Sequence, residues 1–140
     1  MSRIIALDYG TKRVGIAVTD AMQMIASPLD TVHAKDIIPF LETYIQQEDV
    51  EAIVLGFPKR MDNTDTHATQ HVVGFNRKLS KLFPQLSIFL VDERFTSKIA
   101  FDSMIAGGLN KKARQEKGTI DKVSATIILQ SFLESRDLKG

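Results

Sequence analysis

Three acidic residues stand where predicted strands or helices begin or end, which is where a fold can bring them together. Asp8 ends the first apolar run of the chain, and Glu93 follows the apolar run Leu86–Val91. Asp121 falls in the first turn of a predicted final helix. Ligand sites of open α/β sheets gather beyond the carboxyl ends of the strands. If the first strand and the Leu86–Val91 strand are neighbours, Asp8 and Glu93 face one pocket. Asp121 would join them from the helix.

Three converging carboxylates would repel one another and raise each other's pKa values. A hard divalent cation such as Mg²⁺ or Mn²⁺ removes that cost, because it prefers oxygen ligands. Carboxylates that hold two such cations about 3.5–4 Å apart can activate a water and stabilise the leaving oxygen in phosphodiester cleavage. The three acids therefore indicate cation-dependent phosphodiester chemistry.

Each acid also has a structural interpretation, which residue spacing alone leaves open. Asp121 can interact with the dipole of its helix, and Glu93 can form an ion pair with Arg94. Asp8 is harder to explain in this way, because a charge at the end of a buried strand is destabilising unless something holds it.

The chain around Asp8 predicts an antiparallel meander of three strands. The first strand is Arg3–Leu7, and a tight connection through Tyr9 and Gly10 leads to a second strand of alternating apolar and small residues from position 14 to 19. A third, weaker strand is predicted within Met24–Val32.

Helices and strands alternate through the rest of the chain, which predicts an α/β domain with a mixed sheet. Strands are predicted at Ala52–Phe57 and, as a buried strand, at Leu86–Val91. Helices are predicted after a cap at Asp36, along an apolar stripe at residues 68, 72, 75, 79 and 82, from Thr96 or Ser97 to Gly107–Gly108, and after a cap at Thr119. A length of 140 residues suits a single domain over residues 1–140.

Composition excludes several classes of protein. The chain has 44% hydrophobic and 25% charged residues, and it has no cysteine, which excludes disulfides, thiolate metal sites and a cysteine nucleophile. Asp8 interrupts the N-terminal apolar run too early for a signal peptide, and no stretch approaches the roughly 18 apolar residues of a membrane span. We expect a soluble cytoplasmic protein without a membrane partner.

Charge is unevenly distributed along the chain. Residues 1–58 hold four basic and eight acidic residues, a net charge of −4, whereas residues 59–122 hold twelve basic and seven acidic residues, a net charge of +5. This pattern predicts either a basic face for a polyanion or scattered solvated charges. The candidate nucleic-acid-binding residues are Lys12, Arg13, Lys59, Arg60, Arg94, Lys111, Lys112, Arg114 and Lys117.

Two histidines have the spacing of metal ligands on a helix. His67 and His71 lie four residues apart, but the string HATQH lacks the glutamate of H-E-x-x-H. We interpret both as surface residues.

Four sequence blocks together match a known family. They are IIALDYGTKRVGIAVTD, IVLGFPKRMDN, VDERFTS and TIDKVSATIILQSFLE, and they run from residue 4 to residue 134. In this order they resemble the YqgF/RuvX family of Holliday-junction-resolvase-like proteins, in the ribonuclease H-like superfamily. The resemblance implies a ribonuclease H-like α/β fold: a mixed five-stranded sheet, with a three-strand antiparallel meander plus two parallel strands, flanked by helices.

The resemblance also implies a catalytic trio that binds Mg²⁺ or Mn²⁺. These residues are Asp8 from LDYG, Glu93 from DER and Asp121 from TID. RuvC resolvases end with two aspartates three residues apart, whereas Ser124 stands at that distance after Asp121 here, so a fourth acidic ligand is missing from the last helix. Asp92 and Asp20 are the candidates to replace it.

The function implied by the resemblance is that of a metal-dependent endonuclease acting on structured nucleic acid. The expected reaction is 5′-end processing of pre-16S rRNA in ribosome biogenesis, with the ribosome or its precursor as a partner and a monomer or weak homodimer as the active form. One alternative is a Holliday junction resolvase acting on four-way DNA. Another is a nucleic-acid-binding module without catalysis.

Overall fold

A computed structural model describes residues 2–10, 12–57, 67–92 and 117–139, with side chains for 2–10, 12–56, 70–91 and 123–134. The strands are β1 (Arg3–Tyr9), β2 (Arg13–Thr19), β3 (Ala26–His33), β4 (Val50–Phe57) and β5 (Ser87–Asp92). The helices are a 3₁₀ turn (Ala34–Asp36), α1 (Ile37–Gln47), α2 (His67–Leu82) and α3 (Lys117–Lys139).

The five strands form one mixed sheet in the order β3-β2-β1-β4-β5. β1 pairs antiparallel with β2, and β2 pairs antiparallel with β3, which confirms the predicted meander. β4 runs parallel to both β1 and β5. The carboxyl ends of β1, β4 and β5 therefore lie at the same end of the sheet, which we call the carboxyl end.

The strand residues alternate between two apolar layers, one on each face of the sheet. On one face, Ile5 and Leu7 of β1 belong to a core that includes residues of α1 and α2. On the other face, Ile4 and Ala6 belong to a core that includes Ala125 and other buried residues of α3. Each residue of β1 can thus be assigned to the α1–α2 face or to the α3 face.

Gly10 closes the hairpin between β1 and β2. Its N–H donates to the carbonyl oxygen of Arg13 at 2.9 Å. A Cβ at position 10 would lie 2.8 Å from that same oxygen, closer than such atoms approach one another. The turn therefore requires glycine at this position.

The predicted cap of α1 differs from the observed one. Asp36 occupies the N-cap position, but its side chain makes no capping hydrogen bond. A 3₁₀ turn precedes α1, and it is His33 whose Nδ1 accepts from the backbone N–H of Lys35 at 3.2 Å. The chain enters the helix through that turn, so the side-chain cap lies three residues earlier than predicted.

Two expectations about burial are wrong in detail. Leu82, predicted in the apolar stripe of α2, is 44% exposed, and Phe83 packs in the core instead because α2 ends at Leu82. The strand predicted as buried at Leu86–Val91 has Phe89 43% and Leu90 46% exposed. Its position at the end of the strand order explains this exposure, since β5 pairs with β4 alone in the described sheet.

The helix predicted from Thr96 or Ser97 to Gly107–Gly108 lies outside the described residues. α3 begins at Lys117, two residues before the predicted cap at Thr119, so Asp121 falls in its second turn rather than its first. No helix within the described residues has the length and apolar character needed to cross a membrane. A single domain over residues 1–140 stays a prediction.

Candidate active site

Asp8 lies one residue before the end of β1, at the carboxyl end of the sheet. Its side chain is half-buried. Strand alternation places it on the same face as Ile4 and Ala6, which is the α3 face. The apolar residues before it anchor β1 in the core, so the backbone that carries this carboxylate is held in place.

Glycines flank Asp8 on both neighbouring strands. Gly15 of β2 lies directly opposite Asp8 in the antiparallel ladder, and directly opposite residues share a face. On β4, Leu55 pairs with Leu7, so Gly56 follows at the level of Asp8. Both glycines are buried and on the α3 face. The residues at the level of Asp8 on both neighbouring strands therefore carry no side chain.

The condition under which Asp8 and Glu93 would face one pocket, that their strands are neighbours, is not met, because β4 lies between β1 and β5. Local hydrophobic pattern does not determine the order of parallel strands. Gly56 pairs with Val91, so Asp8 and Val91 stand at one level, two strand spacings or roughly 10 Å apart. β5 ends at Asp92, and Glu93, the next residue, lies outside the described residues.

Asp121 lies on α3, the helix that covers the face carrying Asp8. It precedes Ala125 by four residues, about one turn of helix. Ala125 is fully buried in the core that contains Ala6 of β1. The side chain of Asp121 lies outside the described part of the structure. The structure thus brings the two backbone segments to one face of the sheet.

A divalent cation fits the chemistry of the donor that the structure describes. Asp8 offers carboxylate oxygens, the ligand type that Mg²⁺ and Mn²⁺ prefer, beside two residues without side chains. Among the described side chains, no three His, Asp or Glu residues are grouped as metal ligands. The other two acids of the predicted trio lie outside that set, so the trio itself stays a prediction.

Asp20 does not serve as a fourth ligand, because it lies at the opposite end of the sheet. It follows β2, whose last residue, Thr19, accepts a hydrogen bond from the N–H of Ile4 near the start of β1. Asp20 accepts backbone hydrogen bonds from Ile25 and Met24, each at 2.9 Å, and from Met22 at 3.2 Å. These bonds hold the pKa of Asp20 below its usual 3.8, and the bond from Ile25 has the largest effect. Its carboxylate stabilises a turn.

Of the predicted nucleic-acid-binding residues, the structure describes the side chains of two. Lys12 and Arg13 are exposed at the hairpin that follows Asp8, so they lie at the carboxyl end of the sheet. Lys117 begins α3, but its side chain is outside the described set. The remaining candidates, Lys59, Arg60, Arg94, Lys111, Lys112 and Arg114, lie outside the described residues.

A cleft that the sequence did not predict lies on the opposite face at this end of the sheet. Tyr9 and Lys35 line it together with Gly74 and Lys78 of α2. His71, interpreted as a surface residue, is exposed and also lines it. The helical spacing of residues 71, 74 and 78 could have indicated a shared face of α2.

A family model described as RuvX, Holliday junction resolvase, matches residues 2–135. A protein of Christiangramia forsetii named "Putative pre-16S rRNA nuclease" is 53% identical over 95% of this chain and 98% of its own length. Proteins with the same name from Amoebophilus asiaticus and Bacteroides fragilis are 51% and 49% identical, over 96% and 99% of this chain and 96% and 100% of their own.

Solved structures share the fold at low sequence identity. RuvC of T. thermophilus in complex with Holliday junction substrate matches with a TM-score of 0.58 and 14% identity, over 98% of this chain and 96% of that one. A second RuvC structure from Thermus thermophilus gives a TM-score of 0.52 at 12% identity, over 96% of each chain. These matches confirm the ribonuclease H-like fold class.

Proposed function

Since this chain belongs to the RuvX family, whose model covers residues 2–135, we propose that it is a nuclease that hydrolyses phosphodiester bonds. We infer further that its substrate is precursor 16S rRNA, cut at the 5′ side in the cytoplasm during ribosome assembly. The relatives at 53% and 51% identity carry the name of a pre-16S rRNA nuclease over nearly their whole length. Their similarity supports the same substrate here.

One observation supports catalysis most strongly: the placement of Asp8. A half-buried carboxylate lies at the carboxyl end of β1, with glycine at its level on β2 and on β4. The arrangement suits a carboxylate that faces a ligand.

Glu93 and Asp121 are proposed to complete the site with Asp8. Glu93 follows the end of β5, and Asp121 belongs to the helix on the face that carries Asp8. Together the three acids would hold Mg²⁺ or Mn²⁺, which when bound neutralises the clustered carboxylates and polarises a phosphodiester.

The remaining roles fall to basic residues. Lys12, exposed on the hairpin after Asp8, would contact the phosphate backbone of the substrate. Arg94 would bind the scissile phosphate through two parallel N–H donors. Such contacts position the nucleic acid without reading its sequence, so recognition of the cleavage site would depend on the shape of the precursor.

A four-way DNA junction is the second candidate substrate, because the matching family model is described as a Holliday junction resolvase. Symmetric incision of a junction requires two active sites and therefore a dimer. A monomer under assay conditions would count against this candidate.

The experiment compares two substrates under three metal conditions. Wild-type protein is incubated with a structured precursor 16S rRNA fragment and, separately, with a four-way DNA junction, each with Mn²⁺, Mg²⁺ or a chelator. We expect cleavage of the RNA with either cation and none with the chelator. Cleavage of the junction but not of the RNA would mean that four-way DNA, and not precursor rRNA, is the substrate. Binding of both without cleavage under any condition would favour a nucleic-acid-binding module that does not cut.

A further inference from the structure

A cleft of about 720 Å³ lies between α2 and the segment that enters α1, on the face of the sheet opposite Asp8. Its lining includes Tyr9 and Phe75, whose rings stack at 4.1 Å with an angle of 10° between their planes. Clefts of roughly 300–1,000 Å³ accommodate small organic ligands of nucleotide size. The cleft is therefore large enough for a nucleotide.

The charge of the lining is one-sided. Lys35, His71 and Lys78 line the cleft, and among the residues whose side chains the structure describes no acidic residue does. Neither lysine is seen in an ion pair with another described residue, whereas Arg3 pairs with Glu48 at the other end of the sheet. The two lysines thus remain available to an anionic ligand.

Gly74 lies in the middle of α2 and lines the cleft, although a glycine at that position weakens a helix by about 1 kcal/mol relative to alanine. A Cβ at Gly74 would meet no heavy atom of the described residues within 4 Å, apart from its own helix. Packing therefore gives no reason for glycine there. Its effect is to keep the wall of the cleft flat, as close approach of a ligand would require.

The cleft is directly linked to the strand that carries Asp8. Tyr9, the next residue after Asp8, lines the cleft, and strand alternation places the two side chains on opposite faces. The backbone N–H of Ala34, another lining residue, donates to the carbonyl oxygen of Lys12 at 2.9 Å. This hydrogen bond fixes the wall of the cleft to the hairpin that follows Asp8.

From this geometry we propose that the cleft binds a single-stranded nucleotide segment of the nucleic-acid substrate, adjoining the bond that is cut. Lys35 and Lys78 contact its phosphates, and its nucleotide lies against Gly74 beside the Tyr9–Phe75 stack. This inference rests on the proposed function in taking nucleic acid as the substrate and in placing the bond that is cut near Asp8. It adds a binding site on the α1–α2 face, where the catalytic acids are not expected.

The first test is an NMR titration of the full chain, without metal, with adenosine 5′-monophosphate. We expect the amide signals of Lys35, Gly74 and Lys78 to shift, and those of Gln23 at the far end of the sheet to stay unchanged. The Gly74→Leu variant should lose these shifts, whereas Asp8→Asn should keep them. Shifts confined to other surfaces, or none, would overturn the proposal.

Stability of the Gly74 variants separates a binding role from a structural one. Gly74→Ala should raise Tm by about 2–4 °C, because alanine favours the helix and meets no clash. A lower Tm would mean that the fold itself needs the glycine and would overturn the argument from it. If Gly74→Leu fails to fold, the lysine variants below decide the matter.

The second test measures the affinity of the Asp8→Asn protein for a labelled single-stranded RNA in chelator. Adding Lys35→Ala and Lys78→Ala together should weaken binding by roughly tenfold or more, and lower the salt slope by about 0.7 per lysine. Arg77→Ala is the matched control, because Arg77 is exposed on the same helix and does not line the cleft. An equal loss of affinity in the Arg77→Ala control and in the double lysine variant would overturn the proposal.

The two proposals fail in different ways. If cleavage requires Asp8 but the cleft variants bind RNA as well as the Arg77→Ala control does, the cleft inference is wrong and the nuclease stands. If nucleotide binds in the cleft but wild-type protein cuts neither RNA nor DNA, the nuclease proposal is wrong and the cleft remains a nucleic-acid-binding site.

Discussion

Asp8 and Gly15 face each other across the β1–β2 ladder, on the side of the sheet covered by α3. The pairing places a residue without a side chain directly opposite the strand-end carboxylate on β2. Gly56 repeats the arrangement on β4. Space beside an anchored carboxylate is what a cation and a phosphodiester would need.

Filling this space should impair catalysis more than it impairs folding. Gly15→Val places a branched side chain next to Asp8, and we expect it to abolish cleavage. Ala17→Val is the matched control, because Ala17 lies two residues further along the same face of β2 and is also buried. Both variants should lose about 1–3 kcal/mol of unfolding free energy through overpacking. Cleavage rates are compared at a temperature at which both variants are folded. An equal loss of rate in the two variants would contradict this prediction.

Cation binding should stabilise the folded protein through Asp8. A ligand that binds only the folded state adds about 2.7 kcal/mol at a hundred times its Kd, so Mn²⁺ should raise Tm by several degrees. Asp8→Asn should lose most of this increase. Asp20→Asn should keep it, since Asp20 lies in a turn at the other end of the sheet. Thermal melts in Mn²⁺ and in chelator measure the rise in Tm. If Mn²⁺ raised the Tm of Asp8→Asn as much as that of wild type, the result would count against a cation site at Asp8.

Two glycine-to-alanine substitutions should have opposite effects on stability. In Gly10→Ala the new Cβ meets the Arg13 carbonyl oxygen at 2.8 Å, so we expect a loss of about 1–3 kcal/mol of unfolding free energy. In Gly74→Ala the new Cβ meets open space, and we expect the unfolding free energy to increase because alanine favours the helix. Urea denaturation of both variants checks the signs. An unchanged unfolding free energy in Gly10→Ala would show that the hairpin tolerates a side chain at its turn.

Asp20 should contribute a pH-dependent part of the stability. Backbone hydrogen bonds from Ile25 and Met24 lower the pKa of Asp20 in the folded state below 3.8. Its contribution is therefore complete above pH 3.8 and is lost as the pH falls through the folded value. The unfolding free energy of wild type relative to Asp20→Asn should be constant near neutrality and decrease in acid. Urea titrations over a pH series test this, and a difference that grows on acidification would contradict it.

The sequence predicted elements well wherever one face of an element is buried. The meander of β1, β2 and β3 follows from alternation, and α2 follows from the spacing of Val72, Phe75 and Leu79, all of which are buried. The order of the parallel strands could not be obtained in this way, because local pattern does not record which strand inserts between two others. For that reason the sequence left open whether the strands that precede Asp8 and Glu93 are neighbours, and the structure places β4 between them.

The candidate site was predicted only in part. Asp8 could be found because a charge at the end of a buried strand conflicts with its surroundings. Gly15 and Gly56 could not be linked to it, since they approach it only through the register of two ladders. The cleft at Tyr9 and Gly74 was missed because it forms between segments distant in sequence.

The most direct test of the central claim is the rate at which wild-type, Asp8→Asn and Asp20→Asn proteins cut a precursor 16S rRNA fragment in Mn²⁺. Asp8→Asn should be slower by at least about a hundredfold, with unchanged folding, because a carboxylate at the reacting end of the sheet is lost. Asp20→Asn, which removes the same charge at the other end, should cut at the wild-type rate. Equal rates for wild type and Asp8→Asn would contradict the claim that this carboxylate takes part in cleavage.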